Sequence, residues 1–381
     1  MPLDLPLEGV RVLDLSRLLP GPFCTLILSD LGASVDKLED PHVGDYLRVF
    51  PPMKNGLSGR FNAINRDKRS ICLDLKKPEA RDALLRLVEN YDVVVESFRP
   101  GVMDRLGVGW AALSARNPKL VLCSISGYGQ TGPLKDKAGH DLNYISLAGV
   151  LGLAGPLDAA PPVPPVQLAD LAGGALWGAV GILAALFGAR AHGRGQHVDV
   201  SMCEGSLAFL IPDLGNYDAS GTPPRRGAEL LNGGSAAYSV YRTKDGRFLS
   251  VGALEPKFWM AFNAAIGRAG DLSELVAPDA TRIKAEIQAI IEQKTRDEWE
   301  LVFARADACV EPVLAPEEIE RHPQHLARQM FFSIGDLKQV RTPFGKPDGH
   351  RAPPKLGEHT AEILREAGLS DAEITALATR S

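Results

Sequence analysis

The stretch Gly139-His140-Asp141-Leu142-Asn143-Tyr144 puts an imidazole, a carboxylate, an amide and a phenol side by side. An imidazole exchanges a proton near neutral pH, and an adjacent carboxylate can orient it. The segment precedes an apolar run, Ile145–Leu151, read as a helix. Asp141 or Asn143 therefore also fits the plainer role of a helix cap, with His140 a loop residue. Asp170 opens a long apolar helix and is followed by Gly173 and Gly174. A first-turn acid is a common helix device. The two glycines would also let a ligand approach backbone N–H groups, which can stabilise negative charge developing on a carbonyl oxygen. Glu255, just before Pro256, is a third acid at a helix start. No metal-ligand spacing surrounds His140. Gly127–Gly132 lacks the lysine of a phosphate loop, and neither Ser201 nor Ser206 stands in a G-x-S-x-G elbow.

Basic groups cluster at Arg66-Asp67-Lys68-Arg69 and again at Arg99. A charge run is usually a solvated face, but both clusters lie near strand ends of the elements that would hold such a site. Strand-like runs occur at 11–15, 34–38, 70–75, 92–96 and 120–125, with helical patterns such as 22–31 and 78–90 between them. That alternation predicts a largely parallel sheet with helices on its faces, where ligands bind beyond the carboxyl ends of the strands. A Pro-rich loop at 161–165 leads to an apolar helix over 171–187, read as buried and short of a membrane span, then a strand at 196–202. A Gly/Pro/Asn-rich linker is expected at 213–234. A hairpin over 238–251, turning at Asp245-Gly246, opens a smaller α+β unit with helices at 257–266, 280–293 and 296–305. The expected domains are 1–212, 235–315 and a C-terminal segment, 316–381, that returns to the first, is Pro-rich and ends in a short amphipathic helix.

The chain has 381 residues, 45% of them hydrophobic, enough for a large core. A net charge of -5 and a pI near 6.0 exclude a general nucleic-acid binder. Five scattered cysteines without CxxC spacing read as reduced thiols of an intracellular protein, with no metal site. The N-terminus carries neither a basic nor an apolar leader region, so a cytoplasmic location is expected, with no membrane partner.

Together these segments resemble the CaiB/BaiF (family III CoA-transferase) superfamily along nearly the whole chain. The resemblance rests on Leu13-Asp-Leu-Ser16, Pro20-Gly-Pro-Phe23, Asn65–Ser70, Ser97-Phe-Arg-Pro-Gly101, Gly129–Pro133 and Gly357-Glu-His-Thr360. Gly139–Tyr144, the Asp170 segment, Gly252-Ala-Leu-Glu-Pro-Lys-Phe258 and Asp307–Leu314 are more selective and resemble the α-methylacyl-CoA racemase branch.

The resemblance implies an α/β protein with a large Rossmann-like CoA-binding domain and a smaller α+β domain, forming an interlocked homodimer. It implies His140 and Asp170 as the acid/base pair, supported by Glu255 and Asp141. Arg69 with Ser70 and Ile71, Arg99, and Gly139, Asn143 and Tyr144 would contact the CoA part of an acyl-CoA substrate. No other cofactor is expected. The sequence departs from the branch at Asp40, where racemases often carry an arginine; Lys37 or Arg48 would take over that phosphate contact. It departs again at Asn232–Tyr238, near the family's acyl pocket. Two reactions fit. One is inversion at the carbon α to a thioester; the other is CoA transfer between acids, in which Asp170 is the nucleophile.

Overall fold

The computed structural model describes residues 3–277 and 279–379; Met1, Pro2, Pro278, Arg380 and Ser381, including both outer bounds of the expected domains, lie outside them. The apolar runs become strands because aliphatic, β-branched residues suit a sheet covered on both faces. β1 (Arg11–Asp14), β2 (Ser34–Glu39), β3 (Arg69–Cys72), β4 (Val93–Glu96), β5 (Val121–Ser126) and β6 (His197–Ser201) are all parallel. Their spatial order is β3-β2-β1-β4-β5-β6. The order reverses between β1 and β4, and in doubly wound sheets the crevice at such a reversal receives the ligand.

Buried charge fixes the turn that leaves β1. Asp14, wholly buried, accepts bonds from Ser16 N (2.9 Å), from the Ser16 hydroxyl, from Thr25 Oγ1 (2.6 Å) and from Lys68 Nζ (3.2 Å). Burial alone would raise its carboxyl, but Lys37, Lys68 and the two hydroxyls overcome that and bring it down to about 2. Arg66 is likewise buried, with both oxygens of Asp30 at 2.7 Å. Arg66 and Lys68 are therefore internal counter-ions, which corrects the expectation of a solvated charge run.

The edge of β3 is closed by distant residues. Ser70 N donates to His359 Nδ1 (3.2 Å), His359 N donates to Ser70 O (2.9 Å), and Cys72 N donates to Thr360 Oγ1 (3.0 Å). The Gly357–Thr360 motif is thus an edge cap, leading into the helix Thr360–Glu366.

The chain divides into two compact units. The first contains Met1–Ala148, Pro164–Phe209 and Pro323–Ser381; the second contains Gly149–Val163 and Leu210–His322. Gly149–Val163 thus leaves the unit in which it was expected. The expected linker is not irregular either, since most of helix Ile211–Ser220 lies within it. The C-terminal segment holds an antiparallel hairpin, Phe331–Ile334 with Leu337–Val340, as well as helices.

In the second unit β7 (Tyr238–Arg242) and β8 (Phe248–Gly252) form the expected hairpin, and β9 (Val310–Pro312) joins on the far side of β8. Its core holds Trp259, Phe262, Ile287 and Trp299.

Four helices of the first unit matter for the site. They are α1 (Pro20–Asp30), α2 (Asp141–Leu147), α3 (Ala169–His192) and α4 (Met202–Leu207). α3 opens with π-helical geometry over Ala169–Leu176. By length and composition it could cross a membrane, and only 44% of its most apolar window is buried. Its small residues pack inward: a Cβ on Gly178 would meet Ile125 at 3.0 Å and Cys24 at 3.2 Å. Leu176, Trp177, Val180 and Phe187 are exposed. The expectation of a buried helix holds for one face only, because apolar composition does not specify which surface covers each face.

Candidate active site

At the carboxyl ends of β1, β4 and β5 lies a cavity of about 530 Å³. His140, Asp170, Arg99, Gly139, Asn143 and Tyr144 all line it, and all belong to the first unit. α2 begins at Asp141, earlier than the apolar run suggested, so His140 is its N-cap residue. His140 N donates to Asn143 Oδ1 (3.0 Å), which holds the loop against the first turn. The Asp141 and Leu142 N–H groups have no acceptor among the described residues, as expected for a helix start. They are donors beside the imidazole.

Tyr144 turns back under this loop and donates from its hydroxyl to Gly139 O. A Cβ on Gly127 would meet its ring at 2.4 Å, and one on Gly139 at 2.8 Å. Both positions require glycine so that Tyr144 can hold His140 in place.

Asp170 stands in the first turn of α3. Its N–H donates to Asp141 Oδ1 at 3.0 Å. Burial first, and then the nearby Asp141 carboxylate, raises the Asp170 carboxyl from 3.8 to about 7. The expected use of the N–H groups near Asp170 is corrected on two counts. The Asp170 N–H is already bonded, and Gly173 and Gly174 serve helix packing. A Cβ on Gly173 would lie 2.6 Å from Met202 O and from Ser206 Oγ; one on Gly174 would lie 2.9 Å from Met202 Cγ.

Several expected phosphate contacts are also corrected. Lys37 is completely buried, 3.0 Å from Asp45, and donates to Ser16 O at 2.7 Å. Arg48 is held by both oxygens of Glu39 (2.8 and 2.7 Å) and by Pro354 O. Arg69 pairs with Asp36, Glu362 and Glu366. The Ser70 hydroxyl donates to Glu39, and Ile71 is core. A sheet edge and a buried interior consume these groups, whereas sequence shows only their charge. Glu255 lies in the second unit, exposed at the start of helix Pro256–Ala265.

The structure adds cavity residues that sequence reading missed: Arg17, Phe98, Lys135 and Lys137. The signal for the lysines was their place just before Gly139. Arg17 had none beyond its strand-end position. Asp30, Asp67 and His350 approach one another within 4.8 Å, but the Arg66 guanidinium sits on this group, bonding both Asp30 oxygens.

Comparison with known proteins follows this geometry. The family model described as CoA-transferase family III matches residues 7–360. An α-methylacyl-CoA racemase of Mus musculus is 38% identical over 97% of this chain and 96% of its own. An acetyl-CoA:oxalate CoA-transferase of Acetobacter aceti is 35% identical over 97% of each. The crystal structure of a CaiB/BaiF family protein from Brucella suis superposes with a TM-score of 0.83 at 31% identity, covering 96% of this chain and all of that one.

Proposed function

We propose, since this chain belongs to CoA-transferase family III, that it inverts the carbon bearing the α-methyl group of 2-methylacyl-CoA thioesters. The observation that carries this reading is Asp170. A carboxyl brought to about 7, in a cavity that the His140 imidazole also lines, is a group that can both give and take a proton.

Neutral His140 takes the α-proton from one face of the substrate, and the electron pair moves onto the thioester oxygen. The unbonded N–H groups of Asp141 and Leu142 stabilise that oxyanion. Protonated Asp170 then gives a proton to the opposite face of the planar carbon. The enzyme is left with an imidazolium and a carboxylate, and it resets by exchange with water or by running in reverse. Two acid/base side chains and backbone donors suffice for these steps, so the reading calls on no group beyond the substrate's CoA. Glu255 and Asp141 keep the supporting roles expected of them as proposals, as do Arg99, Asn143 and Tyr144 toward CoA.

We further propose an interlocked homodimer, supported by the exposed apolar residues of α3, and a cytoplasmic location, supported by five free thiols.

The test is incubation with (R)-2-methylacyl-CoA in deuterium oxide. Deuterium at the α-carbon with loss of optical purity, both lost in His140→Ala, is the expected result. A second reading is favoured by the transferase relative. In it ionised Asp170 attacks the thioester and CoA leaves, giving a mixed anhydride. CoA thiolate then attacks the aspartyl carbonyl and releases the first acid as its carboxylate. The second acid's carboxylate displaces CoA thiolate from that aspartyl thioester, and the thiolate attacks the acyl carbonyl of the new anhydride, giving the second acyl-CoA and free Asp170. Absence of α-exchange, with labelled CoA moving onto an added carboxylate, would establish that reading instead.

A further inference from the structure

Between the hairpin that ends at Val340 and the helix that begins at Thr360, residues 341–359 cross the first unit as a strap without regular secondary structure. The strap carries the Gly357–Thr360 cap to the edge of β3, and one histidine fastens it ahead of that cap. His350 Nδ1 stands 2.6 Å from Asp67 Oδ2, and its Nε2 stands 2.7 Å from Lys346 O.

We propose that His350 fastens this strap as an imidazolium and that loss of its proton unfastens it, which makes the contact a pH-sensitive buckle. The two acceptors carry the inference. A carboxylate and a backbone carbonyl offer only lone pairs, so each ring nitrogen that meets one must bring an N–H. A neutral imidazole has one N–H, and in either tautomer its bare nitrogen would face an oxygen. The protonated ring satisfies both partners and keeps no lone pair for a metal ion. Its side chain is only 10% exposed, so little water reaches a partner left without a donor.

The groups that surround the ring agree with this protonation state. The Asp67 bond first, and then the Lys346 carbonyl and the Asp67 charge, raise the imidazole above its ordinary 6.5, against burial and Arg66. From α1 the facing carboxylate is Asp30, within 4.8 Å of this group and already held by Arg66. From the hairpin it is the Phe332 ring, stacked 4.7 Å from the imidazole, and an aromatic face attracts a cation. The strap's own cations are Lys346, whose carbonyl the ring uses, and Arg351, whose Nη2 donates to Asp67 O at 3.1 Å.

Asp67 shows what the buckle secures. It adopts the left-handed region at φ +65°, which a residue with a side chain rarely holds unaided. The strap supplies the support: Asp67 N donates to Arg351 O (3.1 Å), and Arg351 N donates to Asp67 Oδ1 (2.7 Å). The next residue is Lys68, whose ammonium bonds Asp14 and Pro22 O beneath the turn that leaves β1. The folded ring holds its proton more tightly than the unfolded chain does. The buckle therefore contributes fully below 6.5 and is lost as pH rises through the raised value.

Hydrogen exchange and histidine NMR on the full chain test this. With rates corrected for intrinsic exchange at each pH, protection of the Asp67 and Arg351 amides should fall about 10-fold or more from about pH 6 to about pH 9. The Val94 amide, at the centre of the sheet, should fall less. In His350→Gln, which has no charge to lose, protection of the two strap amides should be lower at the acid end and stay level across the range. The His350 ring should titrate above 6.5, and in Asp67→Asn its midpoint should drop toward that value. A ring that titrates at or below 6.5 overturns the proposal. So does pH dependence that is absent from the parent or equal in His350→Gln. The measurements use no substrate, so their outcome is independent of the proposed reaction.

Discussion

The Asp141 carboxylate accepts the backbone N–H of Asp170 at 3.0 Å, across 29 residues of sequence. One acid thus anchors the helix start that carries the other, and its charge adds to burial, the larger cause, in raising that other acid to about 7. Asp141→Asn retains an acceptor but loses the charge. The pH limb assigned to Asp170 in deuterium exchange should move to lower pH by about half a unit or more, with burial still holding it above 3.8. A limb that stays put would mean that Asp170 is not the titrating group.

Asp170 also sets a stability trend. Its folded carboxyl is raised above the ordinary value, so between about pH 4 and pH 7 the folded protein holds a proton that the unfolded chain has released. Stability therefore falls as pH rises through that window. Asp170→Asn removes the cost of the buried charge. It should unfold at higher denaturant than the parent at pH 8, by about 2–4 kcal/mol, match it at pH 4, and show no exchange. Equal stability at both pH values would refute the raised carboxyl.

Gly205 and Gly173 face one another where α4 meets α3. A Cβ on Gly205 would lie 2.0 Å from Gly173 O, so Gly205→Ala must push the Asp170 turn aside. A loss of about 1–3 kcal/mol or more is expected, together with reduced turnover at temperatures where the variant remains folded. Gly215→Ala, in an exposed helix with no atom within 4 Å of the new methyl, should be neutral or stabilising by about 0.5–1 kcal/mol. Thermal melts of the two variants check both statements.

Lys37 belongs to the interior, so its removal should show in folding. Lys37→Met leaves Asp45 without its cation in a buried setting, which costs about 3–5 kcal/mol in urea unfolding. Coenzyme A affinity, measured without denaturant at low temperature, should change little, because Lys37 is spent on Asp45 and Ser16 O. A loss of about tenfold or more in a variant that remains folded would restore Lys37 as a phosphate ligand.

The central parallel strands were legible because they carry short apolar runs: Val93–Val95 and Val121–Cys123 alternate with helical patterns, and both are buried. The hairpin at Phe331–Val340 carried a readable Gly335-Asp336 turn, but the proline-rich surroundings masked it. The His140 and Asp170 segments stood out by residue type, and the structure sets both around one cavity. The cations misled. Lys68 and Arg66 read as solvated because charge runs usually are, and their counter-ions, Asp14 and Asp30, lie far off in sequence. Arg17 went unnoticed for the converse reason: among the described residues it has aromatic partners, Tyr46 and Phe98, and no carboxylate, which only the packed chain reveals.

The cap on β3 has a consequence for synthesis. Cys72 emerges from the ribosome 288 residues before Thr360, the residue that covers its N–H. A nascent chain therefore carries a bare strand edge through most of its translation, the state in which strands of neighbouring chains associate. Only a polypeptide that has reached Thr360 can hide that edge, so the motif works as a mark of completeness. Products truncated upstream of it are the ones to be sought in inclusion bodies or bound to chaperones.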